Sequence, residues 1–321
     1  MRVLQYLLIC LVTCLPALAS AYDRDLVEEM LKSQEGIAGL KRHEAVLDGQ
    51  KVFYLDNERD KAARTIMFVH GFGDSGTSWM FLARLFRDAG YRILIPDLPG
   101  FGRSARNATA DYGYTAQANR LFLLLQNLKV GQVHLVGNSM GGGIVGQMAL
   151  LRPQAVASLT LIDAAGVHYK ATELDQQVLK GNNFLIPKKT EDFARLLDFV
   201  MARRPIMPQP IVDYLAERAI SDSALHERIF HEVLLPDVGF LTLGLADIKT
   251  PTLILWGERD RVLHPENARV FQRYIAGSRL TYLPGIGHTP MAEAPEETGA
   301  AILGFIDELY AEAPTLPKAN P

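Results

Sequence analysis

The sequence predicts an α/β fold: a mostly parallel sheet with helices on both faces and a helical stretch inserted late in the chain. Three observations predict it. Short apolar runs at residues 65–69, 91–95, 132–136, 158–162, 252–256 and 279–283 alternate with stretches of helical period. Most of these runs are nearly continuous in apolar character, as strands covered on both faces must be. The stretch Gly137-Asn138-Ser139-Met140-Gly141-Gly142 stands between one such run and a helical one. A serine among glycines at a strand-to-helix turn marks a sharp, strained corner that lifts its hydroxyl clear of the sheet.

Residues 25–40 read as an amphipathic helix with Leu26, Met30, Leu31 and Ile37 on one side. Residues 44–55 read as a hairpin turning at Asp48-Gly49, a pair that accepts the positive φ of a tight turn. The strand at 65–69 runs into His70-Gly71-Phe72-Gly73, and a helix follows at 79–89. The strand at 91–95 leads into the turn-rich loop 96–102. A helix at 114–128 carries Leu121, Leu124, Leu125 and Leu128 on one side. The strand at 132–136 and the helix at 143–150 flank the serine corner, and the strand at 158–162 closes at Asp163.

From residue 166 to about 247 the alternation stops. This stretch is helical in character, strongly amphipathic at 191–201 and interrupted by Pro205, Pro208 and Pro210. It reads as a cap inserted into a single α/β body made of residues 23–165 and 248–311. The body resumes with the strand at 252–256, a helix at 265–275, the strand at 279–283 and a last helix at 293–310. The tail, 312–321, rich in Ala and Pro, reads as disordered.

The chain has 321 residues and a net charge of −3, so nothing electrostatic argues for a nucleic-acid partner. No glycine-rich phosphate loop with its lysine is present, and neither a cofactor nor a metal is expected. His43, His134, His168, His226 and His231 lack ligand spacing; the pair His226 and His231 is off helical register. Residues 1–22 stand apart. Arg2 precedes an uncharged run from 3 to 22, closed by Asp23-Arg24-Asp25. The run matches the ~20 residues needed to span a bilayer. It also holds small-residue cleavage sites, Ala17-Leu18-Ala19 and Ala19-Ser20-Ala21, of the kind found in a secretory leader. Both readings put the remainder outside the cytoplasm. A membrane anchor at 3–22 is preferred over a cleaved, periplasmic or secreted chain. Both cysteines, Cys10 and Cys14, fall in this leader, so the folded part has no disulfide and no thiolate metal site.

A serine nucleophile needs a base, and the base needs an orienting acid. After the serine corner the chain offers Asp260, just beyond the strand at 252–256, and His288, beyond the strand at 279–283. Strand ends of one parallel sheet meet at one edge, so Ser139, Asp260 and His288 can converge there as nucleophile, acid and base. Asp163 also ends a strand and is the alternative acid; its plainer role is structural. Asp97 reads as an anchor for its loop, His70 as a holder of the loop that follows it, and His264 as a surface or capping residue. Acyl transfer passes through an oxyanion that needs two backbone N–H donors. The N–H of Met140, directly after the serine, is one; the loop after residue 70 supplies the other, assigned to Phe72.

At this point the chain resembles the α/β-hydrolase superfamily, from about residue 43 to 310. The likeness is greatest to the monoacylglycerol lipases and to bacterial membrane-linked lipases or phospholipases A. It is carried by His70-Gly71-Phe72-Gly73, by the 137–142 motif, and by the cap stretches 189–200 and 215–220. The resemblance implies the α/β-hydrolase fold with a helical cap, an acyl-enzyme on Ser139, lipid-like carboxylic esters as substrates and a membrane surface as partner. The apolar cap residues Phe184, Leu185, Ile186, Phe193, Leu196, Leu197, Phe199 and Val200 are expected to shape an acyl pocket. A second resemblance, to meta-cleavage-product hydrolases that cut carbon–carbon bonds with the same triad, shares the 137–142 motif. It departs at Thr289, where that family carries tryptophan, and at Gly73-Asp74-Ser75-Gly76, where it carries Gly-Pro-Gly. Dehalogenases and epoxide hydrolases use aspartate at the position of Ser139. A silent, ligand-binding relative usually lacks a triad member, whereas here all three are present.

Overall fold

The computed structural model describes residues 23–60 and 63–311. The leader at 1–22 and the tail at 312–321, with the readings made for them, lie outside the described residues.

Among the described residues the strands are β1 (Lys41–Leu47), β2 (Gln50–Asp56), β3 (Thr65–Val69), β4 (Arg92–Pro96), β5 (Val133–Asn138), β6 (Val156–Ile162), β7 (Thr252–Gly257) and β8 (Arg279–Leu283). The α-helices are α1 (Arg24–Ile37), α2 (Met80–Asp88), α3 (Tyr114–Asn127), α4 (Met140–Leu151), α5 (Glu173–Leu179), α6 (Thr190–Val200), α7 (Gln209–Ser221), α8 (Ser223–Ile229), α9 (Asn267–Tyr274), α10 (Pro290–Glu293) and α11 (Pro295–Ala311). The strands form one sheet in the order β1-β2-β4-β3-β5-β6-β7-β8. β2 runs antiparallel to both β1 and β4, and every pairing from β4 to β8 is parallel.

The central strands are buried along their whole length because each face meets helices. Ile66 and Phe68 of β3 pack with Trp79, Phe86, Ile302 and Phe305 on one side. Met67 and Val69, one residue out of phase, pack with Leu121, Ile144, Val145 and Phe271 on the other. That period of two with no polar phase is why the runs look continuous in sequence. Each such side chain contributes about 1.5–3 kcal/mol by burial.

The strand order also makes a crevice. β4 and β5 lie on opposite sides of β3, so the loops leaving β3 and β5 part at the carboxyl edge of the sheet. In open α/β sheets such a reversal is where ligands bind.

Between β6 and β7 the chain runs through α5, α6, α7 and α8. Phe193 and Leu197 of α6 pack on Val212 and Ala216 of α7, and Tyr214 of α7 packs on Val27 and Leu31 of α1. Leu241 and Leu245 rejoin the main core before β7.

Two elements differ from the sequence expectation. The face α1 buries is Val27, Leu31 and Glu35, while Leu26 is 54% exposed. A carboxylate takes the third turn because Arg42 and Arg103 meet it there, with contacts of 2.5 and 2.9 Å. The expected helix at 293–310 starts two residues later, as α11, and the separate short helix α10 precedes it, with the break at Ala294. Pro295 has no N–H to continue α10 and pushes the residue before it out of helical conformation.

Candidate active site

Ser139 occupies the corner between β5 and α4 with φ 55° and ψ −122°, a strained conformation that costs on the order of 1–3 kcal/mol. Its neighbours enforce the corner. The Ser139 N–H donates to the Ile162 carbonyl at 3.0 Å, and its own carbonyl accepts from Gly143 and Ala165 at 3.1 and 2.9 Å. A Cβ on Gly141 would lie 2.3 Å from the Val69 carbonyl oxygen, so α4 can start against β3 only without a side chain there.

Asp260 and His288 follow β7 and β8 and are both buried. The His288 Nδ1–H donates to Asp260 Oδ2 at 2.8 Å. Asp260 Oδ1 accepts from the backbone N–H groups of Val262 and Leu263 at 2.8 and 3.0 Å. A carboxylate only accepts, so the donor at Nδ1 leaves Nε2 with a free lone pair. Ser139 and His288 line one cavity; no hydrogen bond joins the hydroxyl to the ring, a looseness common before substrate binds.

Met140 is the first residue of α4 and Phe72 the third after β3. Among the described residues neither backbone N–H donates to a protein acceptor. The Phe72 ring is held by His226, Phe101 and Phe230 at centroid distances of 5.3, 5.7 and 6.0 Å. His70 sits beneath this loop: its Nε2 accepts from Leu98 N–H at 2.9 Å, and its Nδ1–H donates to the Gly71 carbonyl at 2.8 Å. Asp97 accepts from the N–H groups of Gly76 and Arg103, each at 2.7 Å. His264 accepts from Glu266 N–H at 3.2 Å ahead of α9. Asp163 accepts from Gly257 N–H at 2.9 Å and makes no hydrogen bond to His288.

Two residues that sequence reasoning missed hold the histidine. The Asn138 side-chain amide donates to the carbonyls of His288 and Ile162 at 3.0 and 3.2 Å, tying the serine corner to the histidine loop. Glu293 Oε2 accepts from the N–H groups of Gly287, Ala202 and Arg203 at 2.9, 2.8 and 2.9 Å. Its Oε1 accepts from the N–H and hydroxyl of Thr289 at 3.1 and 3.2 Å. Thr289-Pro290 followed by an acidic first-turn residue is a readable helix start. That the carboxylate also reaches residues 202–203 is visible only in three dimensions.

The cavity at Ser139 and His288 has a volume of about 1310 Å³. Leu185, Phe193, Leu196, Leu197 and Val200 line it from between β6 and β7, and Met30 and Leu31 line it from α1. Phe184, Ile186 and Phe199, expected among them, do not line it; Phe184 and Phe199 pack instead with Leu174 and Val262. Asp74, beside the Phe72 loop, has its carboxyl pushed up by burial, against the opposing effects of His70 and the Ser78 hydroxyl.

This architecture, with a serine corner after β5 and an acid–histidine pair after β7 and β8, belongs to a known class. The chain is a member of the α/β-hydrolase fold family, whose model matches residues 64–295. Within that family it is a serine hydrolase of the lipase, esterase or phospholipase A type. It is 34% identical to Lipase 1 of Psychrobacter immobilis over 267 residues, 82% of this chain and 83% of the relative. It is 27% identical to the monoacylglycerol lipase ABHD6 of Mus musculus over 257 residues, 77% and 76% of the two chains. A solved membrane phospholipase A, described as a bacterial virulence factor, superposes with a TM-score of 0.85 at 35% identity, covering 96% of this chain and 99% of its own.

Proposed function

We propose that this chain hydrolyses lipid-like carboxylic esters, monoacylglycerols, lysophospholipids or phospholipids, through an acyl-enzyme on Ser139. The single observation that carries the reading is the 2.8 Å hydrogen bond from His288 to Asp260, made at the wall of an apolar cavity that Ser139 also lines. The proposed steps are these. His288 Nε2 takes the Ser139 proton as Oγ attacks the ester carbonyl. Asp260 holds the ring in the tautomer that leaves Nε2 basic and stabilises the imidazolium. The oxygen of the tetrahedral intermediate accepts from the N–H groups of Phe72 and Met140. His288 returns its proton to the leaving alcohol, and a water repeats the sequence to release the fatty acid and free Ser139.

In this reading residues 166–247 are a cap over the α/β body, and their apolar side chains take the acyl chain. The leader places the enzyme outside the cytoplasm, with residues 3–22 as a membrane anchor. The names of the relatives, lipases and a membrane phospholipase A, support lipid esters and a membrane surface as its setting.

Each acyl methylene buried in the cavity contributes about 0.8 kcal/mol. The test is kcat/KM for p-nitrophenyl and glycerol esters of rising acyl length. The value should climb tens-fold over the first few added methylenes and level off when the cavity is full. A steady fall from acetate onward, or activity confined to dienoic ring-fission ketones, would overturn the proposal in favour of a short-chain esterase or a carbon–carbon hydrolase.

A further inference from the structure

Asp163 is a buried acid that the reaction steps leave without a part. It directly follows β6 with φ 44° and is 0% exposed. Its Oδ1 has the Gly257 N–H. Its Oδ2 is buried and receives no hydrogen bond. A carboxylate oxygen of Asp163, one of Asp260 and a ring nitrogen of His288 all lie within 4.8 Å of one another.

Two ionised carboxylates that close, away from water, cannot both persist; one takes up a proton. The donors decide which. Asp260 accepts from Val262, Leu263 and His288, and hydrogen bonds to a carboxylate favour its charged form. Asp163 accepts from Gly257 alone. The charged or titratable groups acting on Asp163 are Asp260 and Glu293, both acidic, with His288 beyond Asp260.

We propose that Asp163 is a positioning residue of the triad, protonated on Oδ2 and donating a hydrogen bond to the Asp260 carboxylate, so that Asp260 Oδ2 stays turned to His288. Burial first, and then the charge of Asp260, drives the Asp163 carboxyl well above the ordinary carboxylate range. The proton supplies the donor that the orphaned Oδ2 lacks, and Asp260 gains a fourth donor that fixes its rotation about its side chain. The inference rests on the triad reading for its role in turnover, while the protonation itself is measurable without any turnover.

Asn is the matched replacement, since it tolerates positive φ as Asp does; its oxygen can accept from Gly257 and its amide can donate to Asp260. Infrared difference spectra of wild type against Asp163→Asn at neutral pH should show the carbonyl band of a protonated carboxylic acid, lost in the variant. Loss of carboxylate bands alone would overturn the proposal whatever the enzyme's activity. In kinetics, Asp163→Asn should keep kcat within about three-fold, with the acidic limb of kcat/KM in place. If Asp163 were charged, its removal would move that limb down by about one pH unit, which would equally overturn it. Asp163→Ala, without a donor, should lower kcat ten-fold or more at constant KM; an unchanged kcat would refute the positioning role. Failure of the triad reading is separate: it would show as activity surviving Ser139→Ala.

Discussion

The backbone N–H of His288 donates to the carbonyl of Val200 at 2.8 Å. Val200 is the last residue of α6, so the segment between β6 and β7 is bonded directly to the residue that carries the imidazole. Glu293 repeats the link, accepting from Ala202 and Arg203 on one side and from Gly287 and Thr289 on the other. A displacement of α6 therefore moves the histidine loop, and the cavity wall and the base keep one register.

Removing Glu293 should expose that coupling. Glu293→Ala leaves four backbone N–H groups without their acceptor, and a buried unmet donor costs about 1–3 kcal/mol. We expect a loss of about 3 kcal/mol in urea unfolding, since part of the deficit is met by water, and a fall in kcat of about 10²-fold from a misplaced base. Unchanged kcat in a folded variant would show that His288 needs no such support.

The triad should behave as a unit. Ser139→Ala and His288→Ala should each lower kcat by about 10⁶, and Asp260→Asn by about 10⁴. Single-turnover assays with a p-nitrophenyl ester check this. A damaging Asp163→Asn beside a nearly silent Asp260→Asn would reverse the assignment of the acid.

Glu35 joins α1 to the body through Arg42 and Arg103. Glu35→Ala leaves Arg42 and Arg103 with only Glu28 as a shared partner, at 3.4 and 3.3 Å, and the lost charged hydrogen bonds should cost about 2 kcal/mol. Arg103 lines the cavity, so the loss should also appear as a raised KM. Calorimetry beside steady-state kinetics separates the two; an unchanged Tm would mean that α1 docks without this network.

His134, buried between Ser158 and Tyr310, sets an acid limit on stability. Burial first, and then the charge of Arg64, lowers its pKa to about 4, against ~6.5 in the unfolded chain. The folded state thus binds the proton less readily than the unfolded one. The contribution is complete above pH ~6.5 and is lost as pH falls to about 4, a total of about 3 kcal/mol. Urea midpoints at several pH values should show a steeper acid loss in wild type than in His134→Gln; parallel curves would remove His134 as the cause.

The leader should retain the chain at the membrane. N-terminal sequencing of the membrane fraction is expected to begin at Met1 or Arg2. A mature chain beginning at Ser20 or Tyr22 in the soluble fraction would replace the anchor by a cleaved leader.

What the sequence by itself determined is the order of elements and which polar residues stand at their ends. Strands such as 65–69 and 252–256 announce themselves because both faces are buried, so no polar phase interrupts them. The corner at Ser139 is legible because only glycine permits the approach of α4 to β3. His288 and Asp260 are legible because parallel strands deliver their ends to one edge, a rule that needs no coordinates. The tertiary structure alone decided which groups meet. Glu35 replaced Leu26 on the buried face of α1 because the guanidinium groups of Arg42, at the start of β1, and of Arg103, from a loop far along the chain, meet there. Phe199 turned away from the cavity to Leu174 and Val262, because an amphipathic helix declares an apolar side without naming what covers it. The contacts of Glu293 and Asn138 and the closeness of Asp163 to Asp260 left no trace in periodicity. Hydrogen bonds between residues far apart in the chain depend on where side chains end in space, and local pattern carries no term for that distance.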